Sequence, residues 1–174
     1  MPNMTSRRQL LRAAGGLITL SLGGLELAFS ADDSERLDAA GLLDSEILTL
    51  VRILQHILPH ERLHEQVYRD AVLALADKIG ADERKRRRIR YGIAALSAPP
   101  YRWLDLSFQD QRRVLQTMED SSFFKTLQTT ALEQVYRDER TWRLIGYEGD
   151  ASRFGGYVDR GFDDIDWLPE PGET

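Results

Sequence analysis

The chain has 174 residues, 42% of them apolar, and a formal net charge of −5, which suits one domain with a modest core and short appendages. It has no cysteine. That excludes disulfides, a Cys-x-x-Cys-His haem attachment, thiolate-held iron–sulfur clusters and thiol nucleophiles. Three arginines and one glutamate fall in the first 30 residues, so the remainder carries 20 basic and 27 acidic residues, net −7, a balance that argues against nucleic acid as the main partner.

Residues 1–30 read as an export signal. Arg7 and Arg8 precede a weakly apolar run from Ala13 to Phe29 that contains four glycines and is interrupted by Glu26. Twin arginines ahead of a moderately hydrophobic, glycine-containing segment are what the bacterial twin-arginine translocase (Tat) reads. A spanning helix wants about 20 continuous apolar residues, which this run does not supply. Cleavage is expected after Ser30, with Ala28 at the −3 position; an uncleaved signal would instead remain as an N-terminal anchor. The alternative is an amphipathic N-terminus with a chance Arg-Arg pair. Residues 31–43 are polar and read as a flexible lead-in.

Residues 44–144 read as a helical domain. A first helix starts at Asp44 or Ser45, either of which can cap it, and carries Ile47, Leu48, Leu50, Val51, Leu54, Ile57 and Leu58 until Pro59 stops it. A second runs from about Leu63 to Lys78, with Val67, Ala71, Leu73, Leu75 and Ala76 inward and Gly80 at its end. A third starts near Asp82. Pro99-Pro100 breaks the chain, and Tyr101, Trp103 and Leu104 are expected to fold back on the core. Ser107 to Asp110 resembles a capping box opening a fourth helix with Phe108, Val114, Leu115 and Met118. Ser121 or Ser122 caps a fifth, in which Phe123, Phe124, Leu127, Ala131, Leu132, Val135 and Tyr136 recur at helical spacing and read as core. Asp138 to Leu144 adds a short turn. No alternating run is flanked like a strand pair, so the expectation is an all-α bundle of about five helices.

Two features of this body invite chemistry. His56, His60 and His64 are spaced by four, as metal-binding histidines on one helix would be. Pro59 lies between the first two and disfavours an unbroken helix. The plainer reading is one histidine at a helix end, one in a turn and one on the surface. Arg84 to Arg90 holds six basic residues in seven. Such a run reads as a solvated helix face, or alternatively as a docking patch for an acidic partner or anionic lipid.

Residues 145–174 change character. From Trp142 onward, five glycines (146, 149, 155, 156, 161) are set among six aromatics (142, 147, 154, 157, 162, 167). A flexible linker lacks aromatics at this density, and aromatics must bury area or find a partner surface. The segment therefore reads as irregular but fixed, lying over the protein's own core or over a partner. Its residues Gly146 to Gly149, Gly155 to Tyr157 and Arg160 to Pro169 resemble the C-terminal signature of the gluconate 2-dehydrogenase subunit 3 family. Leu58-Pro59-His60 and Tyr68 are similar to that family's early helices.

The resemblance implies a small, non-catalytic subunit of a periplasmic flavin-dependent dehydrogenase. It implies a glucose-methanol-choline (GMC) type large subunit that binds FAD and, in many such complexes, a multihaem cytochrome c subunit that takes the electrons to the membrane. The twin-arginine route carries folded, cofactor-loaded proteins, and this chain shows no cofactor motif of its own. A signal on a cofactor-free chain suits an escort for a partner that lacks one. Localisation is then periplasmic, with membrane association indirect or through an uncleaved signal. The expected partner surface comprises Trp142, Tyr147, Glu148, Tyr157, Arg160, Phe162, Asp163, Asp164, Asp166 and Trp167, aromatics and arginine being the residues that dominate interface energies.

Catalysis on this chain has one candidate constellation, the carboxylates Asp159, Asp163, Asp164 and Asp166. They share one short loop without a nearby His or Lys, and the spacing fails the calcium-loop pattern. Salt bridges to Arg153 or Arg160 are the better use for them. No glycine-rich phosphate loop follows a strand pattern, so no flavin or nicotinamide site is expected on this chain. The competing reading is a free-standing exported helical protein that binds a ligand or metal through its histidines or its Asp loop.

Overall fold

The computed structural model describes residues 17–22 and 25–156. Seven α-helices and one two-stranded sheet make up the regular structure of these residues, so the fold is all-α with a small β appendage. In chain order the elements are β1 (Ile18–Leu22), β2 (Leu25–Phe29), α1 (Ala31–Ala39), α2 (Asp44–Ile57), α3 (Glu65–Gly80), α4 (Glu83–Ser97), a 3₁₀ turn (Trp103–Asp105), α5 (Phe108–Gln116), α6 (Ser122–Val135), α7 (Glu139–Ile145) and a second 3₁₀ turn (Ala151–Phe154). Among the described residues, no helix is long and apolar enough to cross a membrane.

Helix α3 is the centre of the bundle. It packs against α1, α2, α4, α6 and β2. Being approached from several sides, it buries Val67, Tyr68, Ala71, Val72, Leu73, Leu75, Ala76 and Ile79, which is more than a one-sided stripe. Helix α2 buries Ile47, Leu48, Leu50, Val51, Ile53 and Leu54, and α6 contributes Phe123, Phe124, Leu127, Ala131 and Val135. Helix α4 meets α6 through Gly92, whose missing side chain admits the ring of Phe123.

Short polar residues set the helix starts. The Ser107 hydroxyl accepts the Asp110 N–H at 3.2 Å, Ser121 accepts the Phe124 N–H at 3.1 Å, and Asp82 accepts the N–H groups of Arg84 and Lys85 at 3.0 Å each. Helix α2 departs from expectation. Its cap position is Leu43, whose N–H donates to the Glu46 carboxylate at 2.8 Å, so Asp44 and Ser45 lie in the first turn.

Two N-terminal segments differ from the sequence reading. Residues 31–39, expected within a flexible lead-in, form α1. Leu37 is buried, and the Arg36 guanidinium grips Asp77 of α3 with two bonds, Nε to Oδ1 at 2.9 Å and Nη2 to Oδ2 at 2.6 Å. That bond lowers the Asp77 carboxyl below its ordinary range. A helix of nine residues with one large apolar side chain is too short to show periodicity, which is why composition misled here.

The apolar run of the segment read as an export signal, in turn, forms the antiparallel pair β1–β2, with Ile18 opposite Phe29 and Leu20 opposite Leu27. These four side chains are buried in the main core, while Thr19, Ser21 and Glu26 face out. The run alternates with period two on both sides of Gly23-Gly24, a two-residue hairpin signal that the export reading passes over.

Smaller corrections follow from exposure. Leu132 and Tyr136, read as core, lie on the surface of α6 and its C-terminal cap, and Phe108 and Tyr101 are also exposed, whereas Trp103 is fully buried. Phe108 instead stacks on His56, ring centroids 4.0 Å apart.

Candidate functional site

The three histidines do not converge. His56, at the end of α2, sits in a buried polar knot. Its Nε2 pairs with Gln111 Oε1 at 2.9 Å, Gln111 Nε2 donates to the Trp103 carbonyl at 3.2 Å, and Trp103 Nε1 donates back to the Gln111 carbonyl at 2.9 Å. Oε1 is an acceptor, so the imidazole carries its proton on Nε2. The His56 Nδ1 atom is buried without a partner, and burial lowers the imidazole's pKa below the ordinary histidine value. His64 caps α3, its Nδ1 accepting the Gln66 N–H at 3.2 Å. His60 pairs with the Tyr136 hydroxyl at 3.1 Å. Among the described residues, no group of three or more histidine or carboxylate side chains is placed to hold a metal ion.

His60 belongs to the arrangement that brings the distinctive sequence stretches together. The Tyr68 hydroxyl of α3 donates to the Leu58 carbonyl at 2.6 Å and receives the His60 N–H at 3.4 Å, which fixes the Leu58-Pro59-His60 turn against α3. Burial raises the pKa of the Tyr68 phenol, so it stays protonated as that donor. The His60 ring meets Tyr136 edge-on, centroids 5.7 Å apart. The Tyr136 carbonyl accepts the indole N–H of Trp142 at 2.6 Å. Trp142 then meets Tyr147 edge-on, centroids 5.4 Å apart at 89°.

Glycines make that last contact possible. Gly146 ends α7 in the left-handed region, φ 75°, and the Tyr147 N–H bonds back to the Trp142 carbonyl at 2.9 Å. Gly149, φ 98°, lies against the Trp142 ring, where a Cβ would sit 3.4 Å from the indole carbon Cζ3. The Gly146–Gly149 stretch therefore wraps around one tryptophan. Trp142 is half-buried by its own chain. Tyr147, 48% exposed, and the exposed Glu148 look outward.

Around this wrap several apolar side chains are exposed among charged ones such as Arg137 and Arg143. Tyr136 is 38% exposed and Ile145 53% exposed, and Leu132 precedes Tyr136 by one helical turn. A cleft of about 480 Å³ separates Pro59, His60, Glu61 and Arg62 from Leu144 and Ile145. Arg140 braces α7 from behind. Its guanidinium bonds both Asp138, the α7 cap, and Asp70 of α3. Its hydrogen bond lowers the Asp138 carboxyl's pKa, and the same pair raises that of the guanidinium.

Of the expected partner surface, Trp142, Tyr147 and Glu148 stand together on this face. Tyr157, Arg160, Phe162, Asp163, Asp164, Asp166 and Trp167 lie outside the described residues, as do Arg7 and Arg8, expected as the export-signal pair. Tyr136, Leu132, Ile145 and His60 were not among the expected surface residues. The β-branched and aromatic spacing of α6 hid the first two by reading as core.

The basic run on α4 divides into two grooves. Arg86, Arg87, Arg90 and the exposed Tyr91 line one of about 340 Å³ together with Glu46 and Glu83. Lys85 and Arg88 line another of about 400 Å³ with Lys78 and Lys125. Several of these cations pair with surface carboxylates, as Lys78 does with Glu133 at 2.7 Å. No family model, curated protein or solved structure matches the chain.

Proposed function

We propose that this chain is a non-catalytic small subunit of the gluconate 2-dehydrogenase subunit 3 type. In this reading it docks a periplasmic, FAD-binding GMC-type dehydrogenase and carries it through the twin-arginine translocase. The chemistry, the flavin and any cytochrome c haem belong to the partner chains. The observation that carries the reading is the meeting of Leu58-Pro59-His60, Tyr68, Trp142 and the Gly146–Gly149 wrap on one side of the bundle, beside exposed Tyr136, Ile145 and Tyr147. A rigid aromatic patch next to a cleft has the composition of a binding hot spot.

The test is co-expression with a tagged candidate flavoprotein from the same source, followed by fractionation and pull-down. The reading expects the flavoprotein in the periplasm and bound to this chain. Arg7→Lys/Arg8→Lys should leave both chains in the cytoplasm, still associated. Export regardless of the arginines, with no co-purification, overturns it.

A further inference from the structure

The apolar half of the export-like segment is built into the domain. In β1 and β2, Ile18, Leu20, Leu27 and Phe29 are 4%, 8%, 1% and 1% exposed, and Leu27 and Phe29 are among the largest fully buried side chains of the described residues. Strand β1 lies against α2, and β2 lies against α3 and α1. Arg69 of α3 ties the second strand down: Nη1 donates to the Ala28 carbonyl at 2.6 Å, and the guanidinium lies 6.0 Å from the centre of the Phe29 ring. The Glu26 N–H reaches the Glu65 carboxylate at 3.4 Å.

The bond after Ser30 is equally engaged. The Ser30 hydroxyl accepts the Asp33 N–H at 3.1 Å, and the Ser30 N–H donates to Asp33 Oδ2 at 3.0 Å, a reciprocal capping box that starts α1. The Ser34 N–H and hydroxyl both bond to the Ser30 carbonyl, at 3.1 and 2.9 Å. Cutting between Ser30 and Ala31 would remove the α1 cap and four core side chains together. It would leave the apolar faces of α2 and α3 beneath them in water.

We propose that residues 18–30 are a permanent hairpin that completes the core, so the chain is not processed after Ser30; where the same run also serves as the apolar part of an export signal, the hairpin must undock from the otherwise folded domain during translocation. Alternation explains how one stretch can do both. Its inward positions are uniformly apolar, its outward ones include Thr19, Ser21 and Glu26, and the mean is only moderately hydrophobic. The export half rests on the twin-arginine reading; the structural half does not.

The test uses the full chain with a C-terminal tag, expressed in a bacterium with a twin-arginine translocase, fractionated and weighed by intact-mass spectrometry. A soluble, folded product that retains residues 18–30, whether whole or trimmed upstream of Ile18, is the expected result. A folded, monomeric exported product beginning at Ala31 overturns the inference while leaving the export reading intact. If Arg7→Lys/Arg8→Lys exports as well as wild type, the export reading falls, and the mass still reports on retention. If nothing is exported, the cytoplasmic protein decides the structural half. Leu27→Asp and Phe29→Asp should each lower Tm by at least about 10 °C, and Thr19→Asp and Ser21→Asp by no more than about 3 °C. Equal shifts for inward and outward positions would sink it.

Discussion

Gly92 of α4 sits against the ring of Phe123 of α6, and a Cβ at Gly92 would fall closer than 3.0 Å to that ring. Phe123 is buried and cannot swing into solvent without opening the core. Gly92→Ala should therefore destabilise the fold by about 2–4 kcal/mol, against the stabilisation that Gly→Ala normally gives inside a helix. Urea unfolding would measure it. The double variant Gly92→Ala/Phe123→Leu should recover part of the loss, giving a clearly non-additive cycle. Additive losses would mean that the helices do not meet at this pair.

His56 predicts the acid side of the stability profile. Burial is the main cause of its lowered pKa, outweighing the hydrogen bond that it donates to Gln111, with Arg52 and Arg112 adding to the lowering. Because the unfolded imidazole takes up a proton near pH 6.5 and the folded one resists it, stability is complete above about pH 6.5 and falls as pH drops below that value. A proton on Nδ1 would also be a buried donor without a partner. His56→Gln should flatten the stability curve between about pH 6.5 and 5 relative to wild type. Denaturant midpoints across that range would show it, and an unchanged slope would remove His56 as the cause.

Long amphipathic segments were legible in the sequence, and short or two-sided ones were not. Every inward position expected for α3 is buried, because a sixteen-residue helix repeats its pattern often enough to be unambiguous. The caps Ser107, Asp82 and Ser121 were visible for a different reason: a short polar side chain before an apolar run has few other uses. Helix α1 carries too little apolar surface to declare itself, since its link to α3 is the Arg36–Asp77 fork between residues 41 apart. The β hairpin was masked by a competing explanation of the same apolar run. At the candidate site, Trp142 and Tyr147 stood out as aromatics among glycines, but Leu132 and Tyr136 fit the α6 stripe as well as true core residues do. Each lies one position past a buried residue of the stripe, Ala131 or Val135, and so is turned about 100° away from the core.

Arg140 links the α7 cap to α3 and so sets the position of the aromatic face. It is about one-third exposed, as is Asp70, which keeps the pair's own contribution to stability modest. Arg140→Met keeps the aliphatic stem and removes the fork, and should cost about 1 kcal/mol in thermal unfolding. The larger effect should be positional. With Asp138 and Asp70 no longer drawn together, α7 should exchange its backbone amides faster than α3 or α6 does. Asp138 is held below the ordinary carboxylate range chiefly by the Arg140 hydrogen bond, so this stabilisation is present above about pH 4 and is lost as pH falls through the Asp138 pKa. Unchanged α7 exchange in Arg140→Met would assign the positioning to the apolar contacts alone.

Trp142 and Tyr147 touch each other yet should behave differently on truncation. The Trp142 indole bonds the Tyr136 carbonyl, packs on Gly149 and is half-buried within its own chain. Trp142→Ala removes all of that and should destabilise the fold by about 1–3 kcal/mol. Tyr147 has one ring contact in the isolated chain and presents about half of its surface to solvent. Tyr147→Ala should cost the free chain no more than about 1 kcal/mol. If the face docks the flavoprotein, the same change should weaken the complex by about 2 kcal/mol or more, roughly thirtyfold in Kd. Ile145→Asp, at an exposed position lining the cleft, should act similarly by placing a charge in the interface. Denaturation of the free variants and titration against the purified large subunit separate the two quantities. Tyr147→Ala and Ile145→Asp chains that are as stable as wild type and bind equally well would move the docking surface away from this face.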